Sequence, residues 1–164
     1  MLGMGVIIVL LVLVVIAEGI AVSIKNSLIS QYEKQKDTLR TYSHLYYQWL
    51  KVSGIGERIE HYLKEKGYKT IAIYGLADAA ELLCAQLKDS SIEVKYGIDM
   101  NAIEKNENDY PISFQIITPE ELDDVVDAVI VAIPTSYESI KRALEKKVTC
   151  PVLDLEHIVY EIDE

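Results

Sequence analysis

Thr70-Ile71-Ala72-Ile73-Tyr74-Gly75-Leu76-Ala77-Asp78-Ala79-Ala80 is the stretch that decides how this chain folds. A short apolar run closed by glycine reads as a buried strand ending in a tight turn. From Ala77 to Lys88 the apolar residues change to helical spacing, with Ala80, Leu83, Cys84 and Leu87 on one face. Strand, tight turn and helix in that order is the opening of a parallel βαβ unit.

The same alternation continues outward. Glu93–Ile98 and Ile112–Ile117 read as the second and third strands. Thr118-Pro119-Glu120-Glu121 combines an N-cap, a first-position proline and a capping-box glutamate, which predicts a helix start. Asp127–Ile133 is the clearest buried strand, stopped by Pro134. Thr135 and Glu138 offer a second capping box for a helix to about Lys147. Pro151–Leu153 reads as a fifth strand, and Asp154 as the cap of a last helix, Leu155–Glu161. The pattern predicts an α/β domain with a doubly wound, Rossmann-like parallel sheet of about five strands. Such sheets take ligands at the carboxyl ends of their strands. Here those ends are Gly75-Leu76-Ala77, Asp99-Met100-Asn101 and Pro134-Thr135-Ser136.

Toward the N-terminus the chain changes character. Met1–Ala17 carries no charge, Glu18 interrupts, and Gly19–Ile24 continues uncharged. Twenty-four helical residues reach about 36 Å, enough for a hydrocarbon layer of about 30 Å. Gly19-Ile20-Ala21 has the small residues of a signal-peptide cleavage site. No basic stretch precedes the apolar run, so an uncleaved anchor is the expectation. Lys25, Lys34, Lys36 and Arg40 all follow it. That asymmetry predicts a single-pass protein of an inner or plasma membrane, with its C-terminal domain cytoplasmic. Glu18 reads as a side chain snorkelling to the interface rather than a functional carboxylate.

Residues 25–52 then read as a helical stalk without Pro or Gly. Tyr32, Gln35, Leu39, Tyr42, Tyr46 and Trp49 recur at alternating spacings of three and four. Two readings stand: a parallel homodimer stalk, or one helix whose aromatic stripe packs on its own globular domain. Ser53-Gly54 breaks the helix, and Ile55–Lys66 forms a second, amphipathic one burying Ile55, Ile59, Tyr62 and Leu63. Gly67 ends it. The domains predicted are thus a transmembrane helix over 1–24, a stalk over 25–52 and a cytoplasmic domain over 53–164.

Charge follows the same division. Residues 1–69 are net +3 and residues 70–164 net −13, within an overall −10. So acidic a domain is not built for nucleic acid, which needs clustered Lys and Arg. Cys84 and Cys150 stand 66 positions apart with no Cys/His cluster, which supports neither a disulfide framework nor a zinc site. Glu120, Glu121, Asp123, Asp124 and Asp127 form an acidic run that reads as a solvated helix start rather than a metal site.

The candidate ligand site is a reduced dinucleotide loop. Gly75-Leu76-Ala77-Asp78-Ala79-Ala80 gives G-x-A-x-x-A, and Asp99 follows Gly75 by 24 residues, where an acid would meet ribose hydroxyls. Ala77 puts a methyl where a pyrophosphate would approach backbone, and Asp78 is placed to cap the amides an anion would use. The expected site residues are Gly75, Leu76, Ala77, Asp78, Asp99, Pro134 and Thr135. The ligand is left open among nucleotide, nucleotide-sugar, NAD(P) or none. For catalysis, Tyr137-x-x-x-Lys141 matches the Tyr/Lys pair of short-chain dehydrogenases and sugar epimerases. Tyr32/Lys36, Tyr47/Lys51 and Tyr62/Lys66 share the spacing, so it carries little information. His44, His61 and His157 fall on helices without partners of a catalytic pattern, and no P-loop, GxSxG or HExxH occurs. No catalytic or metal residue is assigned.

Tyr62–Tyr68, Ile71-Ala72-Ile73-Tyr74-Gly75, Tyr96-Gly97-Ile98-Asp99 and Val131-Ala132-Ile133-Pro134-Thr135 with Ile140-Lys141 together resemble Rossmann-like modules of bacterial cell-surface polysaccharide biosynthesis. The resemblance spans about residues 55–160. It implies a role beside glycan assembly, with a nucleotide or nucleotide-sugar site around Gly75, Asp99 and Pro134, and partners in the glycan machinery. Three functions follow: a non-catalytic binding module, an NAD(P)-dependent sugar-nucleotide epimerase- or dehydratase-like enzyme, and a structural adaptor dimerising through its stalk.

Overall fold

The computed structural model describes residues 2–52, 54–122 and 126–162. Contacts divide the chain into two compact units, Met1–Arg40 and Thr41–Glu164. The first belongs to one long helix, α1 (Leu2–Lys51). Its apolar stretch reaches a mean hydropathy of 2.1 with none of it buried, long and apolar enough to cross a membrane.

The second unit starts with the last turns of α1. Leu45 is fully buried there and Trp49 nearly so, while Tyr42 and Tyr46 pack half-buried against the same core. The six-residue seam read from the sequence is thereby split. Its C-terminal members serve the globular unit, whereas Tyr32 and Leu39 are 73% and 77% exposed. Leu45, outside that seam, is the residue that docks deepest. α2 (Ile55–Glu65) follows and buries Ile55, Ile59 and Leu63. It closes where Tyr68 N–H donates to Leu63 O and Gly67 N–H to Lys64 O, a Schellman ending.

Five strands then form one parallel sheet in the order β3-β2-β1-β4-β5. They are β1 (Thr70–Tyr74), β2 (Glu93–Ile98), β3 (Gln115–Ile117), β4 (Ala128–Val131) and β5 (Val152–Asp154). α3 (Asp78–Leu87) links β1 to β2, α4 (Tyr137–Leu144) links β4 to β5, and α5 (Leu155–Glu161) closes the chain. Strand residues alternate between two cores, as a sheet covered on both faces requires. Ile71, Ile73, Ala128 and Ile130 join the core that includes α2, α3, α5 and the end of α1. Ala72, Val129 and Val131 face Leu122, Val126 and Leu144 on the other side. The chain first winds outward from β1 to β3 and then crosses back to β4, so β1 and β4 flank the point where winding direction reverses.

Several boundaries differ from the sequence reading. β3 starts three residues later than Ile112, because Phe114 turns inward: a Cβ on Gly97 would strike its ring. Tyr110 and Phe114 pack with ring centroids 5.1 Å apart and planes tilted by 53°. The Thr135/Glu138 box does not form. Pro134–Ser136 is a 3-10 turn, and α4 starts at Tyr137 with no side-chain cap. Pro134 fixes the backbone angle that starts the turn early. Near Thr118, one half of the expected box is present: Glu121 Oε2 accepts from Thr118 N–H at 2.8 Å. Residues 119–121 form a turn rather than the helix expected there, and residues 123–125, with Asp123 and Asp124 of the acidic run, lie outside the described residues. Asp127 has a different job. Its Oδ2 accepts from Lys69 N–H and Thr70 N–H, both at 2.8 Å, and from Thr70 Oγ1 at 3.0 Å. These bonds hold its pKa below the usual aspartate value and pin the start of β1 to the start of β4. Asp154 caps α5 as read, accepting from Glu156 N–H at 3.0 Å.

Candidate functional site

The carboxyl ends of β1, β2, β3 and β4 remain hydrogen-bonded past the last strand residues. Gly75 N–H donates to Ile98 O at 2.8 Å, Ala132 N–H to Tyr74 O at 2.8 Å, and Asp99 N–H to Ile117 O at 3.1 Å. Gly75 adopts φ +90°, a conformation that side chains other than glycine's rarely take. A Cβ there would also overlap the Ile133 side chain. Glycine is thus required twice, by the turn and by the Ile133 side chain packed against it. Neither requirement involves a phosphate.

The residue after it is the pivot of the site. Leu76 is buried, and both of its backbone polar groups are satisfied by groups distant in sequence. Asp99 Oδ2 accepts from Leu76 N–H at 3.0 Å, while Asp99 Oδ1 accepts from Asn101 N–H at 2.9 Å. Leu76 O accepts from Lys105 Nζ at 2.6 Å and from Tyr110 Oη at 3.2 Å. Lys105 also stands 3.8 Å from Asp99 Oδ2. Burial, followed by the nearby Cys84, Asp99, Asp109 and Glu81, pushes the Tyr110 phenol up to about 12. Tyr110 therefore stays a neutral donor across the physiological range. Two 3-10 turns, Ala102–Glu104 and Glu107–Asp109, carry the segment that delivers Lys105 and Tyr110.

The structure brings Gly75, Leu76 and Asp99 into one hydrogen-bonded group. Pro134 and Thr135 follow Ile133 in the 3-10 turn, and neither is hydrogen-bonded to the loop among the described residues. Ala77 and Asp78 are exposed. Ala77, not Asp78, is the N-cap of α3, and no side-chain cap forms. That corrects the expectation that Asp78 caps the helix: as first helical residue it is one position too late. Its charge falls instead on Tyr42 and Tyr46 of α1. Burial first, and then Asp78, raises the pKa of both phenols. Their rings lie 6.0 Å apart. Ala80 and Glu81 N–H both donate to Ala77 O, whereas the amides of Asp78 and Ala79 meet no acceptor among the described residues.

Lys105 and Tyr110 were not read from the sequence as site residues. Both sit in a polar stretch without periodicity, and only the folded path of residues 100–114 lays them on Leu76. Tyr137 is placed away from this loop. Its hydroxyl donates to Val152 O at 3.0 Å, on the outer side of edge strand β5, and Lys141 Nζ lies 5.6 Å from its ring centroid. Cys84 is buried, with its thiol pushed up to about 12 by desolvation and then by Glu81. No family model, curated protein or solved structure matches this chain.

Proposed function

We propose that the protein is a single-pass membrane protein whose cytoplasmic, Rossmann-like domain is a non-catalytic binding module that docks a protein of the cell-surface glycan machinery. The observation that carries this reading is the occupied state of Leu76. Its N–H and C=O, which flank the position where a dinucleotide loop would receive phosphate, are held by Asp99, Lys105 and Tyr110. A dinucleotide would have to displace a carboxylate and then sit among Asp78, Asp99 and Glu81 without a second glycine for close approach. Tyr137, of the Tyr/Lys pair on α4, donates its hydroxyl proton to Val152 O. The link to glycan assembly rests on the resemblance of residues 55–160, and the membrane side on the basic residues after the apolar stretch.

A nucleotide-type ligand is the second reading, favoured by the unaccepted amides of Asp78 and Ala79 and by the Lys105 cation on Leu76 O. It requires Asp99 to release Leu76 N–H and turn to ribose hydroxyls while Lys105 transfers to phosphate. Thermal unfolding of the full chain in detergent micelles separates the two. UDP-sugars, NAD(H), NADP(H), CoA and ATP at about 1 mM should each leave the Tm unchanged. A ligand present at 100 times its Kd would add about 2.7 kcal/mol. A reproducible upward shift with any of them replaces the protein-docking reading with the nucleotide one.

A further inference from the structure

The Tyr137/Lys141 pair belongs to a second cleft, at the carboxyl end of β5, bounded by α2, α4 and α5. Its volume is about 450 Å³, in the usual range for small-molecule sites. The rings of Tyr62 and Tyr137 and the apolar Val152 and Ile158 line it, together with one cation and one anion of interest, Lys141 and Asp154. Asp154 is half-buried; its Oδ1 accepts from Glu156 N–H at 3.0 Å, and its Oδ2 accepts no hydrogen bond among the described residues. Lys141 is held loosely, with Glu145 4.0 Å away and the Tyr137 ring beneath it. Leu153, Glu138 and His157 complete the lining, and His157 leans on Glu161 at 3.4 Å. The Tyr137 hydroxyl is committed to Val152 O, so the ring is a wall rather than a reagent.

We infer that this cleft binds a small zwitterion, a free α-amino acid with an apolar side chain: ammonium on Asp154, carboxylate on Lys141, side chain against the Tyr62 and Tyr137 rings. A ligand with only the negative group would bring its charge to Asp154 and Glu138. One with only the positive group would bring its charge beside the Lys141 ammonium. Only a ligand carrying both signs matches both ends. The inference is independent of what binds at Leu76, and its failure leaves the proposed function untouched.

Calorimetric titration of the full chain in detergent micelles tests it with three probes: L-phenylalanine, N-acetyl-L-phenylalanine and L-phenylalaninamide. Saturable binding of the free amino acid is expected, with each blocked form at least about tenfold weaker. Asp154→Asn keeps a side chain that caps α5 comparably, and Lys141→Met changes a partly exposed helix position. Each variant should weaken phenylalanine binding about tenfold or more, with circular dichroism unchanged. If Asp154→Asn fails to fold, Lys141→Met decides the matter alone. Absence of saturation at about 10 mM phenylalanine, equal affinity for the three probes, or full affinity in a folded variant overturns the inference.

Discussion

The carboxyl ends of β1 and β5 lie at the same end of one sheet and treat their polar groups in opposite ways. After β1, the backbone of Leu76 is closed on both sides by Asp99, Lys105 and Tyr110, and glycine at 75 allows Ile133 to pack against the turn. After β5, the Tyr137 hydroxyl closes the strand edge on Val152 O, and Asp154 and Lys141 line an open cleft beside it. The difference teaches where to look for ligands in this fold. The switch point is where topology favours binding, and here the backbone of Leu76 beside it is held by the chain's own carboxylate, ammonium and phenol. An open cleft survives at the sheet's edge, where the outer backbone oxygen is satisfied by Tyr137 and so does not invite another strand.

Four substitutions test how deep that contrast runs. Gly75→Ala should be the most damaging, at about 3 kcal/mol, since it adds a left-handed strain to an overlap with Ile133. Denaturant unfolding measures it, and a loss below about 1 kcal/mol would mean that the turn is not closed as described. Asp99→Ala should come next, at about 1–3 kcal/mol, because it leaves the buried Leu76 N–H without its acceptor. If this variant unfolds like the parent, the seal on the switch point is not an energetic one. Tyr137→Phe removes a single hydrogen bond from an exposed edge and should cost about 1 kcal/mol. Sedimentation should then show increased self-association, because Val152 O is freed to pair with another strand.

Asp127→Asn, at the amino end of the sheet, should have the smallest effect, and its pH dependence has a definite sign. The bonds from Lys69 and Thr70 lower the folded-state pKa of Asp127 beneath its ordinary 3.8. The stability they contribute is therefore present above that value and lost as pH falls through the lower folded pKa. The Tm gap between parent and variant should be open at pH 7 and close in strongly acidic buffer. A gap that widens on acidification would contradict the assignment.

How much of this could be read from the residues depended on whether the cause was local. Val129, Ile130 and Val131 announce a buried strand by composition alone, and the β1, β2 and α5 boundaries fall where apolar runs meet Gly75, Asp99 and Asp154. Asp99 was expected at the switch point and is there. Its Oδ2 accepts from the backbone amide of Leu76. Lys105 and Tyr110 left no trace in the sequence, since a side chain reaching a carbonyl 29 or 34 positions away follows from the path of the loop between β2 and β3. The aromatic seam of the stalk was visible as periodicity. Periodicity alone could not say which partner each turn of α1 would meet. Leu45 is buried in the core it shares with α2 and the sheet, whereas Leu39 is exposed.

Amide hydrogen exchange at Leu76 in the full chain tests the sealed switch point most directly. A buried N–H held by Asp99 at 3.0 Å should exchange orders of magnitude more slowly than the exposed amide of Asp78, and Asp99→Ala should erase most of that protection. Leu76 exchanging as fast as Asp78 in the parent protein would show that the loop stands open, and the account of a module closed by its own residues would fall.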